Sequence, residues 1–146
     1  MVILIAEDNA GHFQLIRKNL WLTCVDKDIV QFTNGQDVLD FLFNAQTKGH
    51  SSDGKEYVLL LDIRMPKVDG LEVLRKIKAD KLLRKIPVIM LTTTSEADMV
   101  KQCYELGCSY YVVKPVDYHR FMAAVQNLGA FLSLEAMRVP CVSGGG

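Results

Sequence analysis

The sequence predicts an α/β protein in which five parallel strands alternate with five helices and the sheet is covered on both faces. Three observations predict it. Short apolar runs recur along the 146 residues, and most lack the polar alternation of a half-exposed strand, as suits strands buried on both sides. Between them lie stretches whose apolar residues repeat at spacings of three and four, the stripe of an amphipathic helix. Those stretches are long enough for right-handed crossovers between parallel strands.

Val2–Ala6 is the first buried strand, closed by Glu7-Asp8-Asn9. Phe13, Ile16 and Leu20 form the inward stripe of a helix over 10–22. Asp28 to Thr33 reads as a short, weaker strand at an edge, and Asn34-Gly35 as a turn. Val38, Leu39, Leu42 and Phe43 line one side of the next helix. Residues 47–56 are polar with two glycines and read as a surface loop. Tyr57 to Leu61 is the third strand, an apolar run that ends abruptly in Asp62, with Pro66 and Gly70 turning the chain. Leu71, Leu74 and Ile77 then face inward, with Lys76 and Lys78 on solvated faces. Val88–Leu91 is the fourth strand, running into Thr92-Thr-Thr-Ser95. Ser95, three before Asp98, resembles a capping box for a helix bearing Met99, Val100, Cys103 and Leu106, which Gly107 closes. Tyr110–Val113 is the fifth strand, ending in Lys114-Pro115. Asp117 caps the last helix, which buries Phe121, Val125, Leu128 and Leu132.

Composition narrows the function classes. Seventeen basic residues balance seventeen acidic ones, so no global field favours nucleic acid or an anionic membrane. No apolar run approaches the roughly 20 residues of a membrane span, and a cytoplasmic protein is expected. Cys24, Cys103, Cys108 and Cys141 form no CxxC pair, and the three histidines form no HxxxH cluster. Small buried hydrophobes in a reducing compartment is the reading for the cysteines.

The chemistry lies at the strand ends. Glu7-Asp8, Asp62, Thr92 and Lys114 each follow or end an apolar strand, and in a parallel sheet those ends share one edge, where open α/β sheets bind ligands. Each residue alone has a plainer reading as a cap, a turn acid or a loop end. Together they describe a site. Its carboxylates repel by about 3 kcal/mol per pair at about 5 Å and an effective dielectric near 20. Mg²⁺ offsets that, because it takes hard oxygen ligands and keeps waters. Asp62 is then the nucleophile of phosphoryl chemistry, Asp8 and (through water) Glu7 hold the metal, and Lys114 and Thr92 meet phosphoryl oxygens.

From Val2 to about Leu132 the chain resembles the receiver domain of bacterial two-component response regulators. Glu7-Asp8, Asp62 with Met65-Pro66 and Asp69-Gly70, Thr92, and Lys114-Pro115 carry the resemblance, in order. Glu7-Asp8-Asn9, the long loop before the third strand and Lys114-Pro115-Val116-Asp117 look most like the small regulators partnered with cyanobacterial phytochrome histidine kinases. The resemblance implies a flavodoxin-like (βα)5 three-layer sandwich with strand order 2-1-3-4-5, an order the receiver fold exemplifies. It implies that Asp62 accepts a phosphoryl group from a sensor histidine kinase, a phytochrome among the candidates. The backbone carbonyl of Arg64 joins the metal ligands, and Tyr111 is the aromatic switch that moves with Thr92. The face of the fourth helix, fifth strand and fifth helix then changes shape. A plain tyrosine with its hydroxyl in water is the alternative for Tyr111.

Residues 133–146 form a C-terminal extension with a low-complexity, disordered end at Ser143–Gly146. Leu134, Met137, Val139 and Val142 make it apolar, and with Met122 and Phe131 they suggest a homodimer through the last strand and helix; packing back onto the domain or a plain C-terminal helix extension is the alternative. Other functions stay open. A haloacid dehalogenase-type phosphatase needs DxD after the first strand, where position 10 is Ala. A pseudo-receiver that only binds predicts loss of an acid, Thr or Lys, and none is missing. A flavodoxin needs a phosphate loop after the first strand.

Overall fold

The computed structural model describes residues 2–23, 28–47 and 56–144. Five strands, β1 (Val2–Ala6), β2 (Asp28–Phe32), β3 (Tyr57–Leu61), β4 (Val88–Thr92) and β5 (Tyr110–Val113), alternate with α1 (Ala10–Thr23), α2 (Gly35–Thr47), α3 (Gly70–Ala79), α4 (Ala97–Leu106) and α5 (Tyr118–Gly144). All strand pairs are parallel, in the order β2-β1-β3-β4-β5. The expected flavodoxin-like order is therefore present, with β2 at an edge.

Strand alternation sorts the core into two layers. Leu4, Ala6, Leu59, Leu61 and Met90 pack with α2, α3 and α4. Ile3, Ile5, Val58, Leu60, Ile89 and Leu91 pack with α1 and α5, meeting Phe13, Ile16, Phe121 and Val125. β1 and β3 are apolar throughout, and β4 up to Thr92, because both their faces are covered; each fully buried Leu or Ile contributes about 2 kcal/mol. Two glycines tighten the turn after β3. A Cβ on Gly70 would lie 2.0 Å from the Asp62 carbonyl oxygen, and one on Gly35 2.0 Å from that of Val68.

Four helices start on Asx caps. Asn9, Asn34, Asp69 and Asp117 accept from the backbone N–H groups of His12, Asp37, Glu72 and Arg120 at 2.9, 2.8, 2.9 and 3.1 Å. α4 departs from expectation. Its N-cap is Glu96, one residue beyond Ser95, and no side chain caps it. Gly107 closes it at φ 109°, where a side chain would be strained.

Lys78 also departs from its expected solvated face. Its ammonium donates to the carbonyls of Arg84 and Ile86 at 2.9 and 2.8 Å, closing a short 3₁₀ turn at Leu83–Lys85. A long aliphatic stem lets a helical lysine reach that far, and burial pushes its pKa down. Cys103 and Cys108 are buried free thiols, as expected. Cys24, most of the 47–56 loop, and the side chains of Leu134, Met137, Val139, Cys141 and Val142 lie outside the described residues. α5 runs past Leu132 and Pro140 to Gly144, although a proline removes one helical hydrogen bond and commonly kinks the axis.

Candidate functional site

The carboxyl edges of β1, β3, β4 and β5 converge. Parallel register puts Ala6 beside Leu61 and Thr92 beside Val113, so the residue after each strand reaches the same rim. Backbone bonds tie the rim together: Asp62 N–H donates to Ala6 at 3.1 Å and Lys114 N–H to Thr92 at 2.7 Å.

Lys114 is the hub. Its side chain is 2% exposed; the ammonium donates to Glu7 Oε1 and to Asp62 Oδ2 at 3.1 Å, and lies 3.2 Å from His12 Nδ1. Asp62 Oδ1 accepts the backbone N–H of Ile63 at 2.7 Å, and Glu7 Oε2 that of Asn9 at 3.1 Å. Burial raises the Glu7 carboxyl above its ordinary pKa, with Lys114 opposing. Asp8 lies exposed at the mouth. Glu7, Asp8 and Asp62 each offer an oxygen within 4.8 Å of the others. One ammonium cannot neutralise three acids, and an all-carboxylate donor set suits a hard divalent cation.

Thr92 adds a second sign of an intended ligand. It is fully buried, and its Oγ1 finds no hydrogen-bond partner among the described residues. Native proteins rarely leave such a group unpaired. Arg64 extends an exposed side chain two residues past Asp62. Tyr111 is half-buried, and its hydroxyl donates to the Thr94 carbonyl in the β4–α4 loop at 2.6 Å. The hydroxyl is thus engaged by backbone, unlike a plain strand-end tyrosine in water. Burial lifts its pKa to about 12.

A match to the response regulator receiver domain model covers residues 3–126. The chain belongs to that family. Response regulator Rcp1 of Synechocystis is 32% identical over 139 residues, spanning 95% of this chain and 92% of its own. Its Mn²⁺-bound crystal structure superposes with a TM-score of 0.78 at 31% identity, covering 90% of this chain and 93% of that one. A receiver domain from Rhodospirillum rubrum gives a TM-score of 0.85 at 36% identity, over 92% and 94% of the two chains. The phosphorylated cyanobacterial phytochrome response regulator RcpA gives 0.78 at 29%, over 89% and 91%.

In this receiver the structure also brings in His12, which the sequence reading passed over. His12 is in the first turn of α1, and its ring packs on Phe121 at 5.6 Å between centroids. Burial and the Lys114 ammonium lower its pKa, with Asp62 and Asp8 opposing. A cleft of about 360 Å³ opens beside it, lined by His12, Leu15, Lys114, Val116, Tyr118 and Phe121 among others. Its position just before Phe13 on the inward stripe was a usable signal; its pairing with a lysine 102 residues away was not.

Proposed function

We propose that this receiver is a phosphorylation switch in which Asp62 takes a phosphoryl group from the phosphohistidine of a sensor kinase. The observation that carries the reading is the Lys114 ammonium held on both Asp62 and Glu7, beside a buried Thr92 hydroxyl with no partner among the described residues. An Asp62 oxygen attacks phosphorus, the P–N bond breaks, and the imidazole nitrogen leaves with the electron pair. Lys114 lowers the charge that the incoming phosphoryl oxygens meet, and Thr92 donates its hydroxyl to one of them.

Glu7, Asp8, Asp62 and the Arg64 carbonyl would hold Mg²⁺, and the Mn²⁺ in the Rcp1 structure supports a divalent ion at such a site. When bound, the ion neutralises charge on the acids and the phosphoryl oxygens. A phosphoryl group adds close to two negative charges and three acceptors, enough to bias a two-state loop. Thr92 then turns toward it, the Tyr111 hydroxyl leaves Thr94, and the α4–β5–α5 face changes. The phytochrome named in the RcpA structure supports a histidine kinase partner of that kind.

Residues 2–132 serve as the switch and 133–146 as the extension that passes on its state through a homodimer formed by β5 and α5. Exposed Tyr110 and Val113 on β5 support that face. Acetyl phosphate with Mg²⁺ tests the chemistry: one phosphate gained by mass, and none in Asp62→Asn, is expected. A wild-type chain that never gains mass refutes it. Phosphotransfer rates from a panel of histidine kinases identify the partner. Sedimentation of a chain cut after Ser133 tests the dimer, which is expected to be lost.

A further inference from the structure

An ammonium has three N–H donors and no acceptor. In Lys114 those donors meet Glu7 Oε1, Asp62 Oδ2 and His12 Nδ1. The first two are acids of the proposed phosphoryl site. The third belongs to an imidazole on another element, and that ring is itself held in place. The backbone N–H of His12 donates to the Asn9 cap at 2.9 Å, and its ring packs against Phe121 of α5, tilted by 53°. Lysine has a flexible stem and a point charge with no fixed orientation of its own. Two acids on one side of such a group attract it without fixing its rotation. A third acceptor, set by a helix cap and an aromatic neighbour, does fix it.

We propose that His12 is a positioning residue for the phosphoryl chemistry, its Nδ1 lone pair holding the Lys114 ammonium in register with Asp62. The inference rests on the phosphoacceptor reading. It requires the ring hydrogen on Nε2, because an Nδ1–H would point a donor at an ammonium. It also explains a histidine where its chain neighbours give it no partner: His12 lies 3.9 Å from Glu7 Oε1, beyond hydrogen-bond reach, and within reach of Lys114 alone among these groups. Asparagine at the same position would carry its Oδ1 close to where Nδ1 sits. Leucine would keep the bulk against Phe121 and lose the acceptor.

Two measurements test this. Nitrogen NMR of the unphosphorylated protein is expected to show His12 with Nδ1 bare and Nε2 protonated; an Nδ1–H tautomer overturns the proposal. In phosphorylation by acetyl phosphate and Mg²⁺, His12→Leu is expected to slow the saturating rate on the order of fivefold, the worth of about one net hydrogen bond. The donor concentration giving half that rate should not change, and His12→Asn should recover most of the loss. A His12→Leu rate equal to wild type overturns the proposal, as does a His12→Asn rate as slow as His12→Leu. A wild-type chain that takes no phosphate ends the phosphoacceptor reading, while the ring tautomer still decides whether His12 holds Lys114.

Discussion

Replacing Thr92 with valine should make the resting protein more stable. The Thr92 side chain is fully buried, and Oγ1 is the buried side-chain polar atom found without a partner among the described residues. Leaving a buried hydroxyl unpaired costs about 1–3 kcal/mol. Valine has nearly the same volume, suits a central strand, and keeps the 2.7 Å backbone bond from Lys114 N–H to the residue 92 carbonyl. A gain of about 1.5 kcal/mol would raise the Tm by roughly 3–6 °C in a domain of this size. Thermal unfolding by circular dichroism, without Mg²⁺ or phosphodonor, reads the shift. Thr92→Ser is the control: it keeps the hydroxyl and loses a methyl, costing about 1 kcal/mol. A Thr92→Val protein at or below the wild-type Tm refutes the reasoning, because the hydroxyl would then be satisfied at rest. If the shift is found, stability and signalling part company at one atom.

Lys114→Met strands the buried Glu7 and Asp62 carboxylates, and urea unfolding should show a loss of about 3–5 kcal/mol; Mg²⁺ should restore part of it, and a loss below about 1 kcal/mol would deny Lys114 its central place. Tyr111 titrates at about 12 when folded against about 10 unfolded. Its raised value means that its contribution is fully present below pH 10 and is lost as pH rises toward 12. Stability should therefore fall through that window, and Tyr111→Phe should remove a late-titrating tyrosinate from the absorbance profile and flatten that part of the stability curve. Gly70→Ala forces a Cβ to within 2.0 Å of the Asp62 carbonyl oxygen, so a cost of about 1–3 kcal/mol and slower phosphorylation are expected together; wild-type rates in that variant would show that the turn does not set Asp62.

The strand ends were legible because parallel topology leaves them little choice. Once Val2–Ala6, Tyr57–Leu61 and Val88–Leu91 read as buried strands, Glu7, Asp62 and Thr92 had to share a rim. Lys114 followed from the same rule, although β5 is only partly buried. For His12 the local signal was its place beside Phe13; its role stayed hidden because its partner, Lys114, lies 102 residues on in the chain. Lys78 was misread because periodicity assigns a Cα to a face and says nothing of where a four-carbon stem ends. The run Thr92-Thr-Thr-Ser95 offered several oxygens as caps, and α4 starts beyond all of them on Glu96. The inward stripe of α5, read as far as Leu132, carries no information on where the helix itself stops.

Tyr111 is fastened at both ends. Its backbone N–H donates to the hydroxyl of Tyr104 on α4 at 3.0 Å, and its own hydroxyl donates to Thr94 at 2.6 Å. One residue thus bolts the edge strand to a helix and to the loop that follows Thr92. Swinging the ring while the loop stays put would break the bond between its hydroxyl and the Thr94 carbonyl. In the proposed switch, that shared bond would make ring and loop release together, and the face beyond them would change in one step.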